Sequence, residues 1–213
     1  VIRGTLTIRE WAEDADFGLT AHPIGGRVEQ GFYRAYTRLS AIPVGATDRR
    51  PLSVGISQAI GSETVPLEVV GHSLGAALGE LLSLDEAIAR GPANVSATII
   101  APPHIGDSEF AGLFDRTVTH YKMYADEFDA VGHVPAGLSY VHPAKMVWMK
   151  RADEQADIDM DSLACSHHAV CYGARLRYNL VTSNGTVINW KTLTGAAAPL
   201  VACIRGPRVG IPA

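Results

Sequence analysis

No apolar run in this chain approaches the roughly 20 residues that a helix needs to cross a bilayer, so no transmembrane segment is expected. Charge of one sign is also missing. Lys and Arg number 18 against 22 Asp and Glu, for a net charge of −4, and the basic residues form no stripe. Nucleic acid is therefore excluded as an expected partner. Cysteine is sparse: Cys165, Cys171 and Cys203 stand in no CxxC pattern and allow either one disulfide with a free thiol or three free thiols. None of the eight histidines forms HxH or HExxH, so no metal is expected. Repeats, low-complexity segments and a dividing linker are all lacking, and residues 1–213 read as one domain.

The start, Val1-Ile2-Arg3-Gly4-Thr5, resembles neither a signal peptide nor an initiator methionine, and the expectation is that upstream sequence is missing. Asn94-Val95-Ser96 and Asn184-Gly185-Thr186 have sequon form, which matters only on a eukaryotic secretory route; chance is the simpler account of them.

What the chain does contain is an ordinary globular balance, 47% hydrophobic and 19% charged, organised as alternating apolar strands and helices. Helical patterns are read at Thr7 to Ala15, Glu29 to Leu39, Pro51 to Ile60, Ser73 to Ala89, Asp107 to Phe114 and His168 to Tyr178. Strand patterns are read at Leu67 to Val70, Val95 to Ala101, Val118 to Tyr124, within Leu138 to Met149, and at Leu180 to Thr182. This alternation predicts an α/β fold: a mainly parallel sheet flanked by helices, with antiparallel additions after Tyr140.

The strongest local signal is Leu67-Glu68-Val69-Val70-Gly71-His72-Ser73-Leu74-Gly75-Ala76-Ala77-Leu78-Gly79. It reads as strand, then Gly-x-Ser-x-Gly, then helix, the context in which a serine is held on a sharp turn as a nucleophile. Gly71 and Gly75 leave room across that turn, and Ala76, Ala77 and Gly79 allow the helix close to the sheet. The helix start also puts backbone N–H groups where negative charge would develop. The competing reading is a chance motif in a chain of 21 glycines. Gly55-Ile56-Ser57-Gln58-Ala59 is such a near-match, but it lacks the apolar strand and the second glycine.

Taken together with three further segments, Gly71 to Gly75 resembles the GHSLG of the class 3 lipases, a group of α/β-hydrolases that includes fungal triacylglycerol lipases and feruloyl esterases. Val1 to Thr5 with Ile8 and Trp11 resembles F-R-G-[ST]-x-S-I-x-x-W. Val28-Glu29-Gln30-Gly31-Phe32 resembles V-H-x-G-F. Ala101 to Asp107 with Phe110-Ala111 resembles G-x-P-R-V-G-N-x-x-F-A, with His104 in place of the arginine. The resemblance covers roughly residues 1 to 175.

A serine needs a general base, and the base needs an orienting acid, in the chain order Ser, Asp or Glu, His. Asp126, Glu127 and Asp129 follow the strand at Val118 to Tyr124. The family's D-x-V-P-x-x-P favours Asp129, with Val131 and Pro135 in register and Gly132 replacing the inner proline; Asp126 is the alternative. For the base, the family's spacing of five residues to a tyrosine favours His167, five before Tyr172, with His168 as second choice. His72 is expected to shape the turn rather than react. The oxyanion donors are expected at Leu74, which follows the nucleophile, and, by the resemblance, at Thr5.

By the same resemblance, Thr7 to Phe17 lies where a lid is carried. Ile8 and Trp11 share a helical face with Ala15, while Glu10, Glu13, Asp14 and Asp16 are acidic, which disfavours anionic membranes. The alternative is a helix packed permanently on the core. The implied function is hydrolysis of carboxylic esters, foremost acylglycerol lipids, with no cofactor, with transient lipid contact through the lid, and with secretion as the expected localisation. Feruloyl esterase, phospholipase A1, acyltransferase and a non-catalytic lipid-binding relative are the alternatives.

Overall fold

The computed structural model describes residues 17–42, 47–61, 64–137, 139–150, 166–176, 180–181 and 187–188. The expected helix at Thr7 to Ala15 lies outside them. At the centre is a four-stranded sheet of β5 (Leu67–His72), β6 (Val95–Ile100), β7 (His120–Asp126) and β8 (Met146–Met149), in that order and all parallel. Three two-stranded antiparallel ribbons accompany it: β1 (Leu19–Ala21) with β2 (Arg27–Glu29), β3 (Ser40–Ala41) with β4 (Arg50–Pro51), and β9 (Leu180–Val181) with β10 (Val187–Ile188). The helices are α1 (Gln30–Thr37), α2 (Leu52–Ile60), α3 (Leu74–Arg90), α4 (Ser108–Thr117) and α5 (Ala169–Arg175).

This is the mainly parallel sheet flanked by helices that the alternation predicted, and the α/β-hydrolase arrangement that the resemblance implied, with one correction. The first strand after Tyr140, β8, pairs parallel with β7 and is not an antiparallel addition. The reason lies in the connection. Residues 127–145 leave the end of β7 where the sheet's loops gather and run back to its opposite end before β8 begins. A strand entered from that end must run with its neighbour. The antiparallel β9–β10 pair is a separate ribbon.

Alternation along β6 buries Val95, Ala97 and Ile99, and along β7 it buries Tyr121, Met123 and Ala125. Against that face packs α3. Its residues are buried nearly throughout, including Ala76, Ala77, Leu81 and Leu84. Burying a leucine completely stabilises by about 1.5–3 kcal/mol, so Leu81 and Leu84, both at 0% exposure, fix the helix against the sheet. Small residues at the start of α3 permit the approach: Ala76 and Ala77 are wholly buried in the same core as Ile99.

α1 begins under an unusual cap. The Glu29 carboxylate accepts from Gly31 N (2.8 Å) and Phe32 N (2.6 Å), closing the first turn and seating Phe32 in the core. Asp107 does the same for α4 through Phe110 N (3.0 Å), and also binds Arg27. No helix among the described residues is long and apolar enough to cross a membrane.

Candidate active site

The chain passes from β5 to α3 through one residue, Ser73, at φ 61° and ψ −131°. A non-glycine residue in this region costs of the order of 1–3 kcal/mol, and persists only where its surroundings over-determine it. Here they do. Ser73 N donates to Ile100 O on the next strand (3.1 Å), while Ser73 O accepts from Ala76 N (2.8 Å) and Ala77 N (3.2 Å). Gly71 is required by space: a Cβ there would lie 2.3 Å from Gly75 O and 2.8 Å from Ala76 Cα. A serine preceding a helix usually caps it with its hydroxyl; Ser73 makes no such bond. Its hydroxyl is thus not spent on the helix start, and the residue is 5% exposed. Leu74 is the first residue of α3, where a backbone N–H has no partner within the helix.

Asp129 follows β7 and opens a short 3-10 turn, Ala130–His133. Its carboxylate is buried and accepts from Val131 N (3.0 Å), the Tyr172 hydroxyl (2.7 Å) and His167 Nδ1, which lies 2.8 and 3.0 Å from its two oxygens. A carboxylate flanked by these donors only accepts, so Nδ1 carries the proton and Nε2 holds a lone pair. His167 Nε2 is buried and has no hydrogen-bond partner among the described residues. Leaving a buried polar atom unpaired costs about 1–3 kcal/mol, and such an orphan calls for an explanation in function.

The alternatives are placed differently. Asp126 is buried too, but its Oδ1 accepts from Phe128 N (2.8 Å). His168 is half-buried, and its carbonyl accepts from Cys171 N (2.9 Å) and Tyr172 N (3.1 Å) at the start of α5. Burial and the neighbouring His167 lower its pKa. Thr5, Ile8 and Trp11 lie outside the described residues. Of the cysteines only Cys171 is described; it is a free, buried thiol whose pKa burial raises to about 11.

Two contacts escape sequence reasoning. The Tyr172 hydroxyl both donates to Asp129 and accepts from Asp126 N (2.8 Å), tying the acid to the end of β7. Tyr172 enters the sequence pattern only as a spacing mark; its burial as a polar side chain is the signal that would have flagged it. The second is a ring cluster behind the Asp129 loop. His142 Nε2 donates to Gly132 O (2.8 Å), His104 Nδ1 to Pro135 O (3.0 Å) and His133 Nε2 to Glu127 O (3.0 Å). The His104 and His142 rings lie 4.1 Å apart and tilted, and Trp148 lies between His133, on which it stacks, and His142, at 4.8 and 5.7 Å. Burial lowers the pKa of His104 and takes that of His142 down to about 4, with His104 and His133 opposing a further charge there. Trp148 also accounts for Gly132, since a Cβ at that position would lie 3.1 Å from its ring.

Known proteins resemble this arrangement and the sequence that carries it. A lipase from Rhizomucor miehei is 26% identical over 182 residues, covering 80% of this chain and 47% of its own length. A phospholipase A1-IIgamma from Arabidopsis thaliana is 34% identical over 134 residues, covering 53% of this chain and 32% of its own. A secreted mono- and diacylglycerol lipase from Malassezia globosa is 28% identical over 130 residues, covering 60% and 40%. Among solved structures, lipase II from Rhizopus niveus superposes with a TM-score of 0.57 at 27% identity, over 69% of this chain and 55% of that one. The chain spans less than half the length of these curated relatives. The profile of the family described as Lipase (class 3) matches residues 1–138, which include both Ser73 and Asp129. With more than half of its residues inside that match, the chain belongs to the class 3 lipase family.

Proposed function

We propose that residues 1–213 form one hydrolase domain that cleaves carboxylic esters, foremost acylglycerol lipids, through an acyl-enzyme on Ser73. The observation that carries this reading is His167, held at Nδ1 by Asp129 and presenting an unpartnered Nε2. Its ring stands 4.8 Å from that of His72, the residue next to Ser73. In this mechanism His167 Nε2 takes the proton of the Ser73 hydroxyl as Oγ attacks the ester carbonyl. Asp129 fixes the tautomer and stabilises the imidazolium. The backbone N–H of Leu74, with Thr5, holds the oxyanion. Collapse of the tetrahedral intermediate expels the alcohol, which takes the proton from His167. Water then repeats the sequence in reverse order of groups and releases the acid.

Ile8 and Trp11 are assigned to a lid that contacts lipid transiently, and secretion is assigned to the chain, in line with the secreted Malassezia relative. Phospholipase A1 activity is the second reading, favoured by the Arabidopsis relative. The test is hydrolysis of nitrophenyl esters of rising chain length, dissolved and emulsified, and of phosphatidylcholine, by wild type and Ser73→Ala. Loss of ester turnover by several orders of magnitude in the variant is expected. Retained turnover overturns the assignment of Ser73, and preference for phosphatidylcholine over glycerides replaces the first substrate class with the second.

A further inference from the structure

The histidine of the Gly71-His72-Ser73 turn makes one long-range bond. His72 Nε2 lies 2.8 Å from the backbone carbonyl of His167, 95 residues away in sequence. A carbonyl only accepts, so His72 carries its proton on Nε2 and donates it. The two imidazoles stand 4.8 Å apart at 40°, and the His72 ring meets Tyr172 edge-on at 6.4 Å.

We infer that His72 is a positioning residue for the proposed hydrolysis: it ties the turn that carries Ser73 directly to the backbone of His167 and so sets the approach of Nε2 to the serine hydroxyl. This rests on the reading of Ser73 and His167 given above. Asp129 fixes the far side of the His167 ring at Nδ1. That bond alone leaves the ring free to shift with its backbone. The Ser166 hydroxyl anchors the residue before it to Phe128 O (3.3 Å), on the same loop as Asp129 and not on the turn of Ser73. The bond from His72 spans the nucleophile's turn and the backbone of the base. Misplacing a reacting group by about 1 Å costs on the order of 100-fold in rate, so a single bond acting on that distance has leverage.

The charge state of His72 suits the task. Burial lowers its pKa to about 4, and the neighbouring His167 and His168 add to the lowering, outweighing the opposing effect of the carbonyl bond and of Asp129. His72 is therefore neutral wherever His167 acts as a base. It adds no positive charge beside an imidazolium forming 4.8 Å away.

The experiment compares His72→Leu, His72→Gln and His72→Asn on a dissolved short-chain nitrophenyl ester, with Ser73→Ala alongside. Glutamine can place an amide N–H near the position of Nε2; leucine offers no donor, and asparagine is too short to reach. His72→Leu and His72→Asn are expected to lose about 10–100-fold in kcat, with KM changed less than about twofold, since His72 orients the base and does not bind substrate. His72→Gln is expected to stay within a few-fold of wild type. Phosphonate labelling of the serine is expected to slow in the same order. Should His72→Leu fail to fold, the glutamine and asparagine variants alone carry the comparison. A glutamine variant as slow as the asparagine one, or a loss confined to KM, overturns the inference. Full activity in the leucine or asparagine variant does so as well. If instead Ser73→Ala remains active, the underlying hydrolase reading fails first.

Discussion

Three donors converge on the Asp129 carboxylate, and each has a different origin: its own turn at Val131, the α5 tyrosine, and His167. This crowding sorts the expected effects of substitution. Asp129→Asn keeps the shape but offers an amide to His167, favouring the wrong tautomer. A loss of kcat of about 10⁴-fold is expected, the size found when a triad aspartate becomes asparagine in serine proteases. Tyr172→Phe keeps that acceptor and removes one donor to it. It also leaves Asp126 N without the hydroxyl oxygen it meets. About 1.5–3 kcal/mol of stability, the usual worth of a bond to a charged group, is expected to go, with a smaller loss of activity, roughly tenfold. Urea unfolding and initial rates on the same preparations check both. A kcat loss in Asp129→Asn no larger than about tenfold would mean that Asp129 is held for stability alone. The resemblance made the proposed acid and base legible only to within a choice of neighbours, because a motif's spacing does not say which of two adjacent side chains faces a third. The contact of His167 Nδ1 with both oxygens of Asp129 is what favours Asp129 over Asp126, and it follows from packing across elements.

At the scale of elements, the passage from β5 to α3 was the most legible part of the chain. Its requirements are local: a short apolar strand with Val69 buried, a glycine where no Cβ fits, and small residues where the helix meets the sheet. Two glycines in this unit make opposite predictions. Gly71→Ala drives a methyl into Gly75 O and should destabilise by about 3 kcal/mol or more, or prevent folding, since only backbone movement relieves the clash. Gly79→Ala meets Val69 at 3.4 Å and Ile99 at 3.5 Å, which is ordinary contact, and gains up to about 1 kcal/mol of helix propensity. Thermal unfolding of the two variants should therefore diverge, with Gly79→Ala at or above wild type; a large loss there would mean that α3 sits closer to the sheet than these distances. Less legible were β8 and the short ribbons. Two to four residues carry too little periodicity to show direction, and the parallel pairing of β8 follows from a connection of 19 residues, 127–145, which no local pattern encodes.

Over the whole molecule, half-buried histidines make stability depend on acidity. His72 and His142 each have a pKa near 4 when folded, against about 6.5 when unfolded. Above pH 6.5 both are neutral in either state and contribute nothing. Between pH 6.5 and 4 the unfolded chain takes up protons that the folded chain refuses, so stability falls as pH falls; below 4 the loss is complete and constant. A melting temperature level above pH 7 and declining through pH 6.5 to 4 is expected, with about 2–4 °C lost per kcal/mol for a chain of this size. His142→Gln should flatten that decline, and an unchanged slope would remove His142 from the account. The ring cluster behind this behaviour was illegible in the sequence, where His104, His133 and His142 are scattered over 39 positions. The parallel sheet has a further consequence. Because its four strands run one way, the segments that leave β5, β6 and β7 all emerge at one rim, Ser73 and Asp129 among them. The opposite rim and the helices can then drift in sequence under packing constraints alone. Under the proposed hydrolysis, a change of diet would be written in the rim loops, while the frame beneath keeps its packing.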